Sequence, residues 1–534
     1  MLLDSALSLV PWQAHVALAA LGLVLWVVIA VAREEKIIRK YGEHATKVTP
    51  RGFIPFDSFL GFGFVWDFFR YGRRDEYLKF TYRSIIRNAA GRTNPYTFEL
   101  RIGGLRYLWT SDPDNIKAML ASQFEDYGRG APFRHRWRHV LGTSIFNVDG
   151  KAWHDSRHRL RPLFSRQRIS ELGAIEKHIQ RLMSLHLDGG RTIDFKDVIS
   201  RFALDTIGEY AMGCQVNALA DRKNDFLDAL EAIKTMQSIH ECAGPLSPLL
   251  PKPGFKRNLK VLDDFIGPFI DKALATPQAV LDEMEKTDKD WTFMKACAAV
   301  SRDRDFLKFE LMSIIFAGRD SVPGTLTWTF IELAKRPDLV ADLRREINGV
   351  VGLGADAPSP THADLKSMRL INNTLNETLR LYPTVSLNLR TALKDTSLPR
   401  GGGHDGNAQV GLAEGTTVIF SSHMLHMMPE TYDNAPAGSS PPHVYDPYRW
   451  DNWTPKPWTY IPFGGGPRLC LGQQLALTEM AFVVVRLLQR YSRLELRGKM
   501  RGIVEQYLTE EGRVRISGDV TLQPRDKVMM RFLP

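Results

Sequence analysis

Cys470 stands in the run Phe463-Gly464-Gly465-Gly466-Pro467-Arg468-Leu469-Cys470-Leu471-Gly472, and this run constrains the chain more than any other stretch. The glycines let backbone N–H groups turn in towards the sulfur. An apolar, helix-like stretch follows, and the N-terminus of a helix favours an anionic thiolate. Phe463 can wall the sulfur off from water, and Arg468 can pair with an anionic group. These are the needs of a thiolate ligand to haem iron; the plain alternative is a glycine-rich turn with a buried free cysteine.

The run resembles the haem-binding loop of the cytochrome P450 family, F-x-x-G-x-R-x-C-x-G, with Phe463, Gly466, Arg468, Cys470 and Gly472 at the five specified positions. The resemblance implies haem b with Cys470 on the iron. A thiolate axial ligand favours O–O cleavage, so it points to oxygen activation rather than reversible carriage. It also implies one large domain, mainly α with small β-sheets. The length of 534 residues alone would suggest three or four domains, but no linker or internal repeat supports that division.

A net charge of +10 admits nucleic acid, an anionic membrane or an acidic protein as partner, and no segment looks like a nucleic-acid module. The cysteines Cys214, Cys242, Cys297 and Cys470 form no C-x-x-C pair and no His/Cys cluster, which argues against zinc. The first three read as small core hydrophobes.

Val16 to Ala32 is an unbroken apolar run of 17 residues. As a helix it reaches ~25 Å, close to a hydrocarbon core of ~30 Å. Arg33, Lys36, Arg39 and Lys40 follow it, and no Lys or Arg precedes it. The positive-inside rule then leaves the bulk of the chain on the cytosolic side. Ala30-Val31-Ala32 resembles a signal-peptidase site, but the segment lacks a basic leader. The expected division is a membrane anchor over 1–32, a connector over 33–55 and a haem-thiolate domain over 56–534. In the family this arrangement implies an endoplasmic-reticulum membrane, crossed once, with the catalytic domain in the cytosol.

Trp153 and Arg157, four apart on one helix face, match the family's W-x-x-x-R, whose side chains hold a haem propionate. Glu377 and Arg380 match its E-x-x-R, with Pro383 as helix stop, and Arg449 resembles the arginine that completes this buried network. Tyr448 stands where a glutamate is common. Arg390 resembles the strand arginine at a second propionate. Residues 306–333 read as one long apolar helix containing Ala317-Gly318-Arg319-Asp320-Ser321, similar to the family's oxygen groove. There Gly318 is expected to admit haem and dioxygen close to the backbone. Asp320 and Ser321 resemble the acid–alcohol pair that relays protons, with Ser321 in place of the usual threonine. Pro323 leaves the Arg319 carbonyl without an intrahelical donor and is expected to kink the helix. Glu310 lies eleven residues before Ser321, the offset of the glutamate esterified to haem in some fatty-acid ω-hydroxylases. A contact with neighbouring helices is the commoner role for such a residue.

Arg157, His158, Arg159, Arg161 and Arg166 form a basic face suited to an acidic flavoprotein. The chain carries no flavin or nicotinamide fingerprint, so electrons are expected from NADPH through a separate FAD/FMN reductase, NADPH–cytochrome P450 reductase, with cytochrome b5 as a further candidate partner. Residues 141–150, 161–166 and 395–403 look like the fungal n-alkane and fatty-acid hydroxylase group. Walls near 127–147, 241–255, 316–317, 385–386 and 516–524 are mostly apolar, which suits a lipophilic substrate. The implied reaction is insertion of one oxygen atom from O2 into a C–H bond, terminal on a fatty acid or alkane. Hydroxylation of a terpene, polyketide or aromatic stays open. So do a reductase-independent hydroperoxide rearrangement and a non-enzymatic haem protein.

Overall fold

A computed structural model of the chain describes residues 12–47, 61–73, 92–164, 171–221, 223–287, 291–497 and 521–534. A few side chains inside helices, including those of residues 12–24, lie outside that set. The helices that build and brace the site are α1 (Trp12–Tyr41), α2 (Gly130–Trp137), α3 (Gly150–Leu160), α4 (Phe195–Met212), α5 (Asp225–Ala243), α6 (Phe255–Ala275), α7 (Arg304–Ala334), α8 (Pro337–Val351), α9 (Arg369–Leu381) and α10 (Gln473–Arg490). The strands are β1 (Thr46–Lys47), β2 (Thr97–Ile102), β3 (Leu105–Thr110), β4 (Tyr127–Gly128), β5 (Ile193–Asp194), β6 (Leu387–Ala392), β7 (Thr396–Gly402), β8 (Ala408–Leu412), β9 (Thr417–Ser421), β10 (Arg493–Leu496) and β11 (Met529–Leu533). They form sheets of order β1-β2-β3-β9-β6-β4, β10-β11-β5 and β7-β8. Mainly α with small sheets is the class expected from the sequence.

α7 is the spine. Its N-cap Asp303 accepts the Asp305 N–H, and its apolar residues face inward on nearly every side, as suits a buried helix. Its first half, including Leu307, Leu311 and Ile315, packs with α4, α5 and α6 in one core. Its second half, including Leu326, Phe330 and Leu333, packs with α8, α9 and α10 in another. Each such side chain contributes roughly 1.5–3 kcal/mol by burial. Between the two cores the helix opens: Ala317 is exposed midway along it. The helix runs on through Pro323, whose carbonyl accepts the Thr327 hydroxyl at 2.7 Å.

Gly318 packs closely against a neighbouring helix. A Cβ there would stand 2.9 Å from Ile207 Cδ1 on α4, so the direction its side chain would take is filled by a neighbouring helix. The glycine serves the close approach of α4 and α7.

Residues 33–47 are held against the domain. α1 continues past residue 32 to Tyr41, where Ile38 is fully buried. Glu43 and Ala45 then bridge to Val410 and Gly402, and β1 pairs in parallel with β2. His44 joins Glu35 and Glu99, at 2.7 Å each. Apolar Ile38 and sheet pairing dock residues 33–47 onto the domain; residues 48–55 lie outside the described set. Among the described residues no helix is long and apolar enough to cross a membrane.

Candidate active site

The Cys470 loop is closed by its own backbone. Leu469 N–H donates to the Gly466 carbonyl at 3.0 Å, and Cys470 N–H to the Phe463 carbonyl at 3.2 Å. Gly466 has φ +64°, and a Cβ on it would stand 1.8 Å from the Leu120 carbonyl oxygen, so only glycine fits. Cys470 lies just before the N-terminus of α10, and Phe463 packs against the core formed by α7–α10. By area Cys470 is exposed, yet enough protein surrounds the sulfur for burial to push its thiol pKa up. The N–H groups of Gly472 and Gln473 and the Arg157 guanidinium act in the opposite direction. A sulfur opening onto an internal recess accounts for both observations.

A group of guanidiniums faces this loop. Arg468 lies 4.7 Å from the centroid of buried Trp153 and 5.9 Å from that of Phe124, while Arg157 lies 5.7 Å from Trp153. Arg390 is 6% exposed and, among the described residues, donates to the Leu389 carbonyl at 2.8 Å. The structure adds Arg129, a residue of the wall expected near 127–147. Its Nε, like that of Arg468, is sealed from solvent and meets no acceptor among the described residues. Burial and the neighbouring Arg129 and Arg468 hold the Arg390 pKa well below the usual guanidinium range. Burial and Arg129 bring Arg468 down to about 10. Asp149 is a carboxylate that meets the group, 2.9 Å from Arg468 Nη2. Buried cations in such excess call for anions. The two carboxylates of haem match this demand, so the residues present fit the group; Trp153, Arg157, Arg129, Arg390 and Arg468 are those that could hold it.

On the other side, the side chains of Asp320 and Ser321 are each engaged elsewhere. Asp320 Oδ1 accepts from Arg319 Nη1 at 2.8 Å, and Oδ2 lies 3.2 Å from Lys234 Nζ. Glu231 pairs with both cations; burial opposes its charge, yet Arg319 and Lys234 hold it down to about 2. The Ser321 hydroxyl donates to the Ala317 carbonyl at 2.7 Å. Sequence reasoning missed Glu231 and Lys234, whose only signal was a spacing that puts both on one face of α5.

Glu377, Arg380 and Arg449 meet in the interior. Arg380 holds Glu377 through Nε at 2.8 Å and Nη2 at 2.7 Å. Arg449 Nε reaches Glu377 Oε1 at 3.1 Å, and the Trp450 indole N–H reaches Oε2 at 2.9 Å. Burial raises the Glu377 pKa and Arg380 opposes it; the net shift is downward. Arg449 also donates to the Ser440, Pro441 and Val444 carbonyls, which pins the segment leading to Cys470. Tyr448 points outward to Asp342 on α8. Glu310 Oε1 accepts the Ser156 hydroxyl at 2.7 Å and the Ile145 N–H at 3.0 Å, so it joins α7 to α3 and to the preceding loop.

The family model for cytochrome P450 matches residues 80–508. This chain belongs to the cytochrome P450 family. A cytochrome P450 monooxygenase, pvhE, from Talaromyces variabilis is 36% identical over 525 residues, 95% of this chain and 93% of that protein. Cytochrome P450 52A13 from Debaryomyces hansenii is 36% identical, covering 75% of this chain and 78% of its own length. Cytochrome P450 52A1 from Candida tropicalis is 34% identical, with 75% of each chain covered. This P450 is therefore a haem-thiolate monooxygenase that draws electrons from NADPH through a reductase and acts on a lipophilic substrate.

Proposed function

We propose that this P450 hydroxylates a long-chain fatty acid or alkane at or near its end, with Cys470 as the iron ligand. Bound haem supplies reductive activation of dioxygen and transfer of one oxygen atom into a C–H bond. The chain's own residues hold and shield it. Arg129, Arg157, Arg390 and Arg468 neutralise its carboxylates beside Trp153, and Phe463 keeps water from the sulfur. Asp320 has to leave Lys234 Nζ, and the Ser321 hydroxyl has to leave the Ala317 carbonyl, before the pair can pass a proton into the groove beside Ala317. The buried guanidinium surplus next to the Cys470 loop is the observation that carries the cofactor site.

The substrate class rests on the stretches over 141–150, 161–166 and 395–403 and on apolar walls. One recess of about 640 Å³, bordered by Met236, Ile239, Leu250 and Pro251 with Asp228 and Glu231, lies between α5 and the segment that precedes α6. A second reading, hydroxylation of a terpene, polyketide or aromatic, rests on the departures at Ser321 and Pro323. It is also favoured because the relative matching 95% of this chain is not a 52A protein. Residues 1–32 are proposed as a single-pass anchor in the endoplasmic-reticulum membrane on their apolar run and following cations, with residues 56–534 cytosolic and cytochrome b5 as a second electron donor.

The test is a spectral-shift screen of fatty acids, alkanes, terpenes and aromatics, followed by NADPH- and reductase-dependent oxygen consumption with each binder. Long-chain binders giving hydroxylated products are expected. Binding and turnover confined to terpenes or aromatics would replace the first reading with the second.

A further inference from the structure

Asp149 occupies the N-cap position of α3 but does not cap it: its side chain makes no hydrogen bond to the first turn of that helix. An aspartate at an N-cap ordinarily spends its carboxylate on those N–H groups. Here the carboxylate turns away and gathers donors from two other elements. Oδ1 accepts the Arg129 N–H at 2.7 Å and Arg468 Nη2 at 2.9 Å. Oδ2 accepts the Gly130 N–H at 3.0 Å and Arg134 Nη1 at 2.6 Å. Gly128 makes room for it, since a Cβ there would lie 2.6 Å from Oδ1. One buried carboxylate thus joins the start of α2 to the guanidinium beside the Cys470 loop.

We propose that Asp149 is a positioning residue that ties α2 to Arg468, so that the positive charge Arg468 presents to haem depends on where α2 sits. This rests on the reading that the buried guanidiniums hold the haem carboxylates. Arg134 is the solvent-side partner, 41% exposed, whereas Arg468 and Asp149 are each 8% exposed. With α2 in place, Asp149 divides its charge between Arg134 and Arg468. When α2 withdraws, the whole charge falls on Arg468, the local positive potential drops, and reduced iron is less favoured. α2 has a second attachment, to α5. Arg136 and the Trp137 indole both bind Glu241 on α5, and Gln237 on α5 donates to the Arg136 carbonyl at 2.9 Å. α5 is the helix that also brings Glu231 and Lys234 to Arg319 and Asp320.

The test is a double-mutant cycle on the full-length, haem-loaded protein, read as the ferric/ferrous midpoint potential and the haem content. Asp149→Asn is expected to raise the potential and Arg134→Leu to lower it with haem content unchanged. The double variant is expected to match Asp149→Asn alone, because Arg134 acts through Asp149. Asp149→Glu is expected to restore the dependence on Arg134. An Arg134→Leu shift of the same size with and without Asp149 overturns the proposal, as does an unchanged potential in Arg134→Leu. The second outcome decides even where Asp149→Asn fails to load haem. Full haem content and an unaltered potential in Arg468→Leu would instead overturn the haem-holding reading itself.

Discussion

Glu310 is a carboxyl group held where its charge is disfavoured. Burial lifts its pKa from 4.5 to about 7, against the hydrogen bonds from Ser156 and Ile145. Folding therefore favours the protonated form. The stability this contributes is fully present below the unfolded value near 4.5 and is lost as pH rises through about 7. Glutamine keeps a carbonyl for the Ser156 and Ile145 donors and never ionises. Glu310→Gln is expected to match the parent in the acid range and to exceed it above neutrality by on the order of 3 kcal/mol. Unfolding of both proteins across that pH range checks this; a stability gap that does not widen with pH would show that Glu310 does not titrate there. The sequence marked Glu310 by its offset of eleven residues from Ser321. Its partners lie more than 150 positions away along the chain, so neither was legible.

At the scale of elements, the Glu377 network ties α9 to the segment that delivers Cys470. The E-x-x-R spacing is a local property of one helix, so that pair could be read directly. The carbonyls at Ser440, Pro441 and Val444 that share Arg449 could not, because their direction is set by how the chain folds back over α9. Glu377→Gln leaves two buried guanidiniums without their carboxylate, which costs about 3–5 kcal/mol. The expected outcome is a lower unfolding temperature and a smaller haem-loaded fraction. Replacing Glu377, Arg380 and Arg449 together by apolar residues is expected to recover part of the stability, since no unpaired charge then remains. A single variant as stable and as haem-loaded as the parent would show that the network does not brace the loop.

Across the whole molecule, the cations at the end of α3 remain open. His158, Arg159 and Arg161 are exposed, and Arg157 is half-buried beside Cys470; Arg166 lies outside the described residues. An acidic reductase docking there would place its electrons on the sulfur side of the haem. Arg161→Glu is expected to raise the KM for reductase roughly fivefold at low salt, as a rim charge worth about 1 kcal/mol would. Haem content should not change, and added salt should narrow the difference. Reductase kinetics at two ionic strengths decide it; a KM indifferent to the reversal places the docking face elsewhere.

What the sequence determined by itself was local. Glycine conformations around Cys470, the i, i+3 pairing of Glu377 with Arg380, and the extent of α7, read as 306–333 and found as Arg304–Ala334, follow from neighbours along the chain. Tertiary structure alone decided which charges meet. It brought Arg129 to Arg390 and Arg468, turned Asp149 away from its own helix, set Lys234 and Glu231 against the Asp320 region, and faced Gly318 to Ile207. Coulomb and packing energies depend on separations of a few ångströms in space, and residues more than 80 positions apart along the chain carry no local signal of that separation.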